Sequence, residues 1–177
     1  LQSEAAGWLR NLMACIVSVQ GKKDRIVTPE EPLISFAMRI VKRLCSKDID
    51  KVFAEGHQFA LGKLGGSEAA VVAIRSTLTR THLRRDTNTE DHAVVIGKDA
   101  AAAFTSVNTD EGLRVIRRQV PGMFALMRFV YGKAARVTIN GVEIGYINKG
   151  SRQGTVSGPL LYMAATQQHL VDVAKKY

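Results

Sequence analysis

Apolar and polar positions follow two different periods along this chain, and glycine, proline and asparagine mark the switches between them. From Leu33 to Leu44 apolar residues recur at three- and four-residue steps, with Arg39, Lys42 and Arg43 on the other side. That spacing predicts an amphipathic helix. Upstream, Trp8 to Val19 is compatible with helix or strand. Gln20-Gly21-Lys22-Lys23-Asp24 reads as a charged turn, and Pro29 and Pro32 break the stretch that follows. A loop punctuated by Gly62, Gly65 and Gly66 leads to Ser67, a plausible N-cap for a helix from about Glu68 to Thr79. Thr81 to Asp91 is polar and expected to be an exposed connection. Ala93 to Gly97 reads as a short buried strand leading to Asp99. Asn108 or Thr109 can cap a helix over Asp110 to Gln119, stopped by Pro121-Gly122, and Phe124 to Tyr131 predicts another. Residues 136–148 alternate on both sides of Asn140-Gly141, the signature of a β-hairpin. A last helix is expected from Pro159 toward Lys175. Helices mixed with short, hairpin-connected strands predict an α+β fold with a mainly antiparallel sheet packed with helices.

Composition narrows the partners. A chain of 177 residues can hold one ordinary core or two small lobes. With 46% hydrophobic residues, it is expected to fold rather than remain disordered. No apolar run approaches the roughly 20 residues that span a bilayer, so no membrane partner is expected. The net charge of +9 favours polyanions and binding to phosphate backbones. Cys15 and Cys45 lack metal-ligand spacing and read as buried free thiols in a reducing compartment. The location is unknown from the sequence; an intracellular one, mitochondrial or nuclear, is the expectation. The four histidines are scattered and suggest no metal set.

Candidate chemistry concentrates in Gly150 to Tyr162, GSRQGTVSGPLLY. This segment resembles the reverse-transcriptase pattern G-x-x-Q-G-x-x-x-[SG]-P-L-L-[FY], with every fixed position filled. Asp99 to Val107 is similar to the family's D-x-x-N-A-F-[ND]-[ST]-V, matching at Asp99, Ala103, Phe104, Ser106 and Val107. Ala102 replaces the family's asparagine, and Lys98 stands where an apolar residue is common. His57 to Arg75 resembles a fingers segment of non-LTR retrotransposon enzymes, closest to site-specific and trypanosomatid forms. Lys22 to Val27 sits where that family carries its K-x-x-G-x-x-R-P-I segment, with Ile26 in place of the proline and Ser35 in place of a second arginine.

The resemblance implies a reverse-transcriptase-like fingers region over 1–90 and a partial palm over 91–177. It makes Asp99 a magnesium ligand and Phe104 a steric gate excluding a ribose 2′-hydroxyl. Gln153 and Gly154 would approach the template–primer pair or incoming nucleotide. Lys22, Lys23, Arg25 and Arg152 would meet phosphates, with Tyr131, Lys133 and Arg136 as a basic, aromatic rim. Two-metal nucleotidyl transfer needs several carboxylates around ions about 4 Å apart. The family's later [YF]-x-D-D hairpin is missing from this sequence, and no Asp-Asp occurs in it. The expectation is a retrotransposon-derived pseudoenzyme: an RNA-binding or scaffolding component of a larger ribonucleoprotein, such as an organellar ribosome or its assembly machinery. RNA or an RNA–DNA duplex would be one partner, and proteins covering the truncated palm another. No cofactor is expected, save Mg2+ if the catalytic site is completed elsewhere. The alternative is a fragment of an active RNA-directed DNA polymerase whose remaining palm and thumb lie outside the chain.

Overall fold

The computed structural model describes residues 4–17, 25–54, 59, 64–84, 95, 97 and 99–176. By density of contacts the chain divides into two compact units. The first joins Leu1–His57 to Ala102–Tyr177, and the second is Gln58–Ala101. Both the 1–90 and the 91–177 regions distinguished by resemblance therefore contribute to the first unit.

The first unit begins with α1 (Glu4–Arg10) and two short strands, β1 (Leu12–Met13) and β2 (Cys15–Val17). Strand β3 (Arg25–Val27) pairs antiparallel with β2, Ile16 facing Ile26. Glu31 then caps α2 (Pro32–Leu44), its carboxylate accepting from the Leu33 and Ile34 amides, with Pro32 in the first turn. Ile34 and Met38 give α2 its buried stripe. A further helix, α3 (Ser46–Ala54), follows and buries Ile49 and Phe53; its short apolar pattern was not anticipated.

After residue 101 come α5 (Ala103–Ser106) and α6 (Thr109–Gln119), following α4 (Gly66–Arg84) of the second unit. Asn108 caps α6, its side-chain oxygen accepting from the Asp110 and Glu111 amides. Pro121 ends α6 and opens α7 (Pro121–Tyr131) as its first-turn residue, three residues earlier than expected. Then come β4 (Ala135–Ile139), β5 (Val142–Ile147) and α8 (Gly158–Lys176).

Asn140 and Gly141 join β4 to β5 with φ of 51° and 80°, the two positive values that a type I′ turn requires. Ile144 bulges where the register jumps from Val137–Gly145 to Thr138–Glu143. β1 adds to the other side of β4 in parallel, giving the order β1-β4-β5. Two of the three strand pairings among the described residues are antiparallel, so the α+β expectation with a mainly antiparallel sheet holds.

The helical core centres on α6, which packs against α7, α8 and α3. Gly112 of α6 makes the α8 approach possible: a Cβ there would lie 2.7 Å from Leu161 Cδ1 and 2.9 Å from its carbonyl. Leu113, Ile116, Met123, Met127, Leu160 and Leu161 fill the interior. Leu12, Ala14, Ala135 and Val137 form a smaller cluster under the sheet.

In the second unit, α4 (Gly66–Arg84) starts one residue before Ser67, so Ser67 is not its cap. The helix also continues past Thr79 into the stretch expected to be a connection. The Thr77 and Thr81 hydroxyls donate to the carbonyls four residues back, which accommodates them within the helix. Of the expected buried strand over 93–97, Val95 and Gly97 are described; both lie outside any strand, and Val95 is 51% exposed. The charged turn over 20–24 lies outside the described residues. Among the described residues no helix is long and apolar enough to cross a membrane.

Candidate functional site

The Gly150 segment lies wholly within the first unit and is fixed at nearly every residue. Gly150 has φ 78°, and a Cβ there would lie 2.7 Å from the Phe104 carbonyl oxygen and from Thr105 Cα. Only glycine combines that left-handed backbone with so close an approach. The Ser151 amide donates to the Phe104 carbonyl at 2.6 Å, and the Thr109 hydroxyl donates to the Gly150 carbonyl at 3.1 Å. These contacts seat the segment on the α5–α6 connection.

Arg152 turns inward and is 4% exposed. Its Nη2 donates to the Val130 carbonyl at 2.5 Å, and its guanidinium lies 4.9 Å from the Tyr131 ring centre. Burial pulls its pKa down, partly offset by Tyr131 and Glu30. Arg152 is thus held from the interior rather than presented on the surface, with its Nε left without a partner among the described residues.

The Gln153 carbonyl accepts from the Thr28 amide at 2.9 Å and from its hydroxyl at 3.4 Å. Its side-chain amide makes no hydrogen bond among the described residues and stays half-exposed. Gly154 has φ 94° and leaves no room for a side chain beside Val27. Gln153 thus holds its place through the backbone, and its side-chain amide is uncommitted among the described residues.

Behind this turn runs a buried polar chain. The Ser157 hydroxyl donates to the Glu30 carboxylate, and the Val156 amide donates to the same carboxylate at 3.4 Å. Tyr131 Oη lies 3.1 Å from Ser157 Oγ and 3.4 Å from Thr155 Oγ1. Ser157 spends its proton on Glu30, and Thr155 spends its own on the Arg152 carbonyl at 3.0 Å. Tyr131 is therefore the donor to Ser157. Burial raises the phenol pKa, with the hydroxyls and Arg152 pulling the other way, so the proton stays. Tyr131 is a core residue and not part of an exposed rim. Arg136 is exposed, 3.9 Å from Glu143.

The segment ends where Gly158 starts α8. Tyr162, one turn on, stacks on Phe104 at 5.3 Å between ring centres. The first unit therefore brings together Phe104, Gln153 and Gly154. Asp99 belongs to the second unit and is exposed. Lys22 and Lys23 lie outside the described residues. Arg25 opens β3, with its side chain likewise outside them.

Among the described residues no group of three His, Cys, Asp or Glu converges as a metal site. Asp99 by itself supplies one of the several carboxylates that a pair of magnesium ions bridging substrate phosphates takes. Cys15 is exposed on β2 rather than buried, its thiol 3.6 Å from the Val27 carbonyl, and Cys45 is half-buried.

Sequence reasoning missed Thr28 and Glu30. The available signal was the acidic pair Glu30-Glu31 between Pro29 and Pro32, beside an apolar helix. Comparison with protein-family models, with curated proteins and with solved structures found no match to this chain.

Proposed function

We propose that the chain is a reverse-transcriptase-derived module that binds RNA or an RNA–DNA duplex as a scaffolding part of a larger ribonucleoprotein. The observation that carries this reading is the seating of Gly150 and Ser151 on Phe104 and Thr105. It joins the two family-like segments of the first unit into one surface, with the Gln153 amide uncommitted. The net charge of +9 supports a polyanionic partner. Exposed Val142, Ile144 and Tyr146 on edge strand β5 support a protein neighbour as well. Two-metal copying needs more carboxylates than Asp99 supplies, so these 177 residues are not proposed to polymerise by themselves.

The test is fluorescence anisotropy with single-stranded RNA and with an RNA–DNA hybrid over a range of salt. Affinity should fall linearly on a log–log plot, by about 0.7 to 0.9 in slope per phosphate contact. Replacing Lys22, Lys23 and Arg25 by alanine should flatten that slope by about three contacts' worth, one per cation removed. Gln153→Ala should weaken binding and leave the slope unchanged. Absence of binding at low salt would sink the proposal. Primer extension that disappears in Asp99→Ala would instead favour the fragment of an active RNA-directed DNA polymerase.

A further inference from the structure

A cavity of about 570 Å³ opens in the first unit between the Thr105–Asp110 turn, the end of α7 and the residues after β5. Lys133 and Lys149 line it, and neither forms an ion pair among the described residues. The hydroxyls of Thr105, Ser106 and Thr109 spend their protons on the carbonyls of Ala102, Ala103 and Gly150. The donors left uncommitted on the walls are therefore the two ammonium groups and the side-chain amides of Asn108 and Asn148. Asp110 is the one carboxylate on these walls.

A narrow recess shares Thr109, Tyr131, Lys133, Asn148 and Lys149 with this cavity and is also lined by Arg152. The Nε of Arg152 has no hydrogen-bond partner, although the residue is 4% exposed. A buried donor left unpaired is costly, and each such case calls for an occupant or an explanation. Three cations, one carrying a spare buried donor, face one carboxylate.

We propose that this cavity binds the phosphate of a nucleotide unit, with Lys133 and Lys149 on the phosphate oxygens and Arg152 Nε donating through a water in the adjoining recess, whose volume of about 10 Å³ admits one. A phosphate offers the density of acceptor oxygens that such a donor set can saturate. The volume falls in the range of small-molecule sites and exceeds that of a bare phosphate, leaving room for the attached sugar. Asp110 can accept from a ribose hydroxyl or a base amino group. The assignment stands on the cavity alone and does not need the reverse-transcriptase reading. A free mononucleotide and a unit within a strand present the same chemistry.

The experiment titrates the full chain with AMP, adenosine, inorganic phosphate and a short oligouridine, following binding by calorimetry and NMR shifts. AMP, oligouridine or both should bind, and adenosine should not. Lys133→Gln with Lys149→Gln should weaken whichever binds by at least about tenfold, the loss expected for charge-assisted contacts. Lys133→Arg with Lys149→Arg should retain most of the binding, and Lys42→Gln with Lys175→Gln should change it less than the cavity pair. Lysine-dependent AMP binding without oligouridine binding would mark a free nucleotide, and would leave the cavity assigned even if RNA binding failed. Oligouridine bound equally well by the glutamine pair would overturn the cavity assignment and spare the RNA-binding proposal. Equal binding of adenosine and AMP, or binding of neither AMP nor oligouridine, would overturn it outright.

Discussion

At position 150 the backbone leaves one choice of residue. Gly150→Ala meets a left-handed φ and a Cβ 2.7 Å from the Phe104 carbonyl, both of them backbone constraints that no rotamer relieves. The expected cost is about 3 kcal/mol, read as a lowered denaturant midpoint at an unchanged slope. Tyr131 sets a pH dependence. The folded chain holds the phenol proton past its ordinary 10.0 and the Cys45 thiol proton past its ordinary 9.0. The unfolded chain releases both sooner, so their stability is complete below pH 9.0 and is lost as the pH climbs through the raised folded values. Thermal unfolding from pH 8 upward should show this decline, and Tyr131→Phe should make it shallower. Arg152 and Glu30 show why single residues mislead in a bare sequence. An arginine beside the Gln153-Gly154 pair suggests a phosphate contact. Its placement, however, depends on a carbonyl and a ring 22 and 21 residues earlier, which no local pattern encodes.

Elements were legible where one local constraint dominated. The Asn140-Gly141 hairpin is such a case, because a two-residue turn with two positive φ values admits few sequences. Gly141→Ala should cost ~1 kcal/mol and lower the melting temperature, whereas Asn140→Gly should leave it nearly unchanged. Helix α2 was legible from periodicity, and α6 from its Asn108 cap. Helix α4 ran longer than its pattern because threonine hydroxyls can bond back to their own helix, which propensity ranks as unfavourable. Helix α3 escaped notice because nine residues, five of them charged or hydroxylated, carry too little periodic signal. The parallel docking of β1 on β4 joins residues more than a hundred positions apart and leaves no trace in either strand.

At the scale of the molecule, the described residues leave apolar surface uncovered along one helix. Helix α2 buries Ile34 and Met38 and leaves Leu33, Phe36, Ile40 and Leu44 exposed at helical spacing. Singly exposed apolar residues are ordinary, but a contiguous stripe marks an interaction surface or a tendency to associate. Sedimentation velocity should show the isolated chain self-associating as concentration rises. Phe36→Glu with Ile40→Glu should restore a monomer with little loss of melting temperature, because neither side chain is in the core.

The buried carboxylate of Glu30 also governs the order in which the protein can mature. Its partners, Val156 and Ser157, lie 126 and 127 residues later, and Thr28 meets Gln153 across 125. At ribosomal speeds the early half of this lock waits on the order of ten seconds for its counterpart to be made. During that interval the Pro29–Pro32 stretch stays hydrated, because Gln153, Val156 and Ser157 have yet to be made. The glycine-rich turn is thus a late achievement of biosynthesis, and cutting the chain anywhere between its two halves would leave it without one of its anchors.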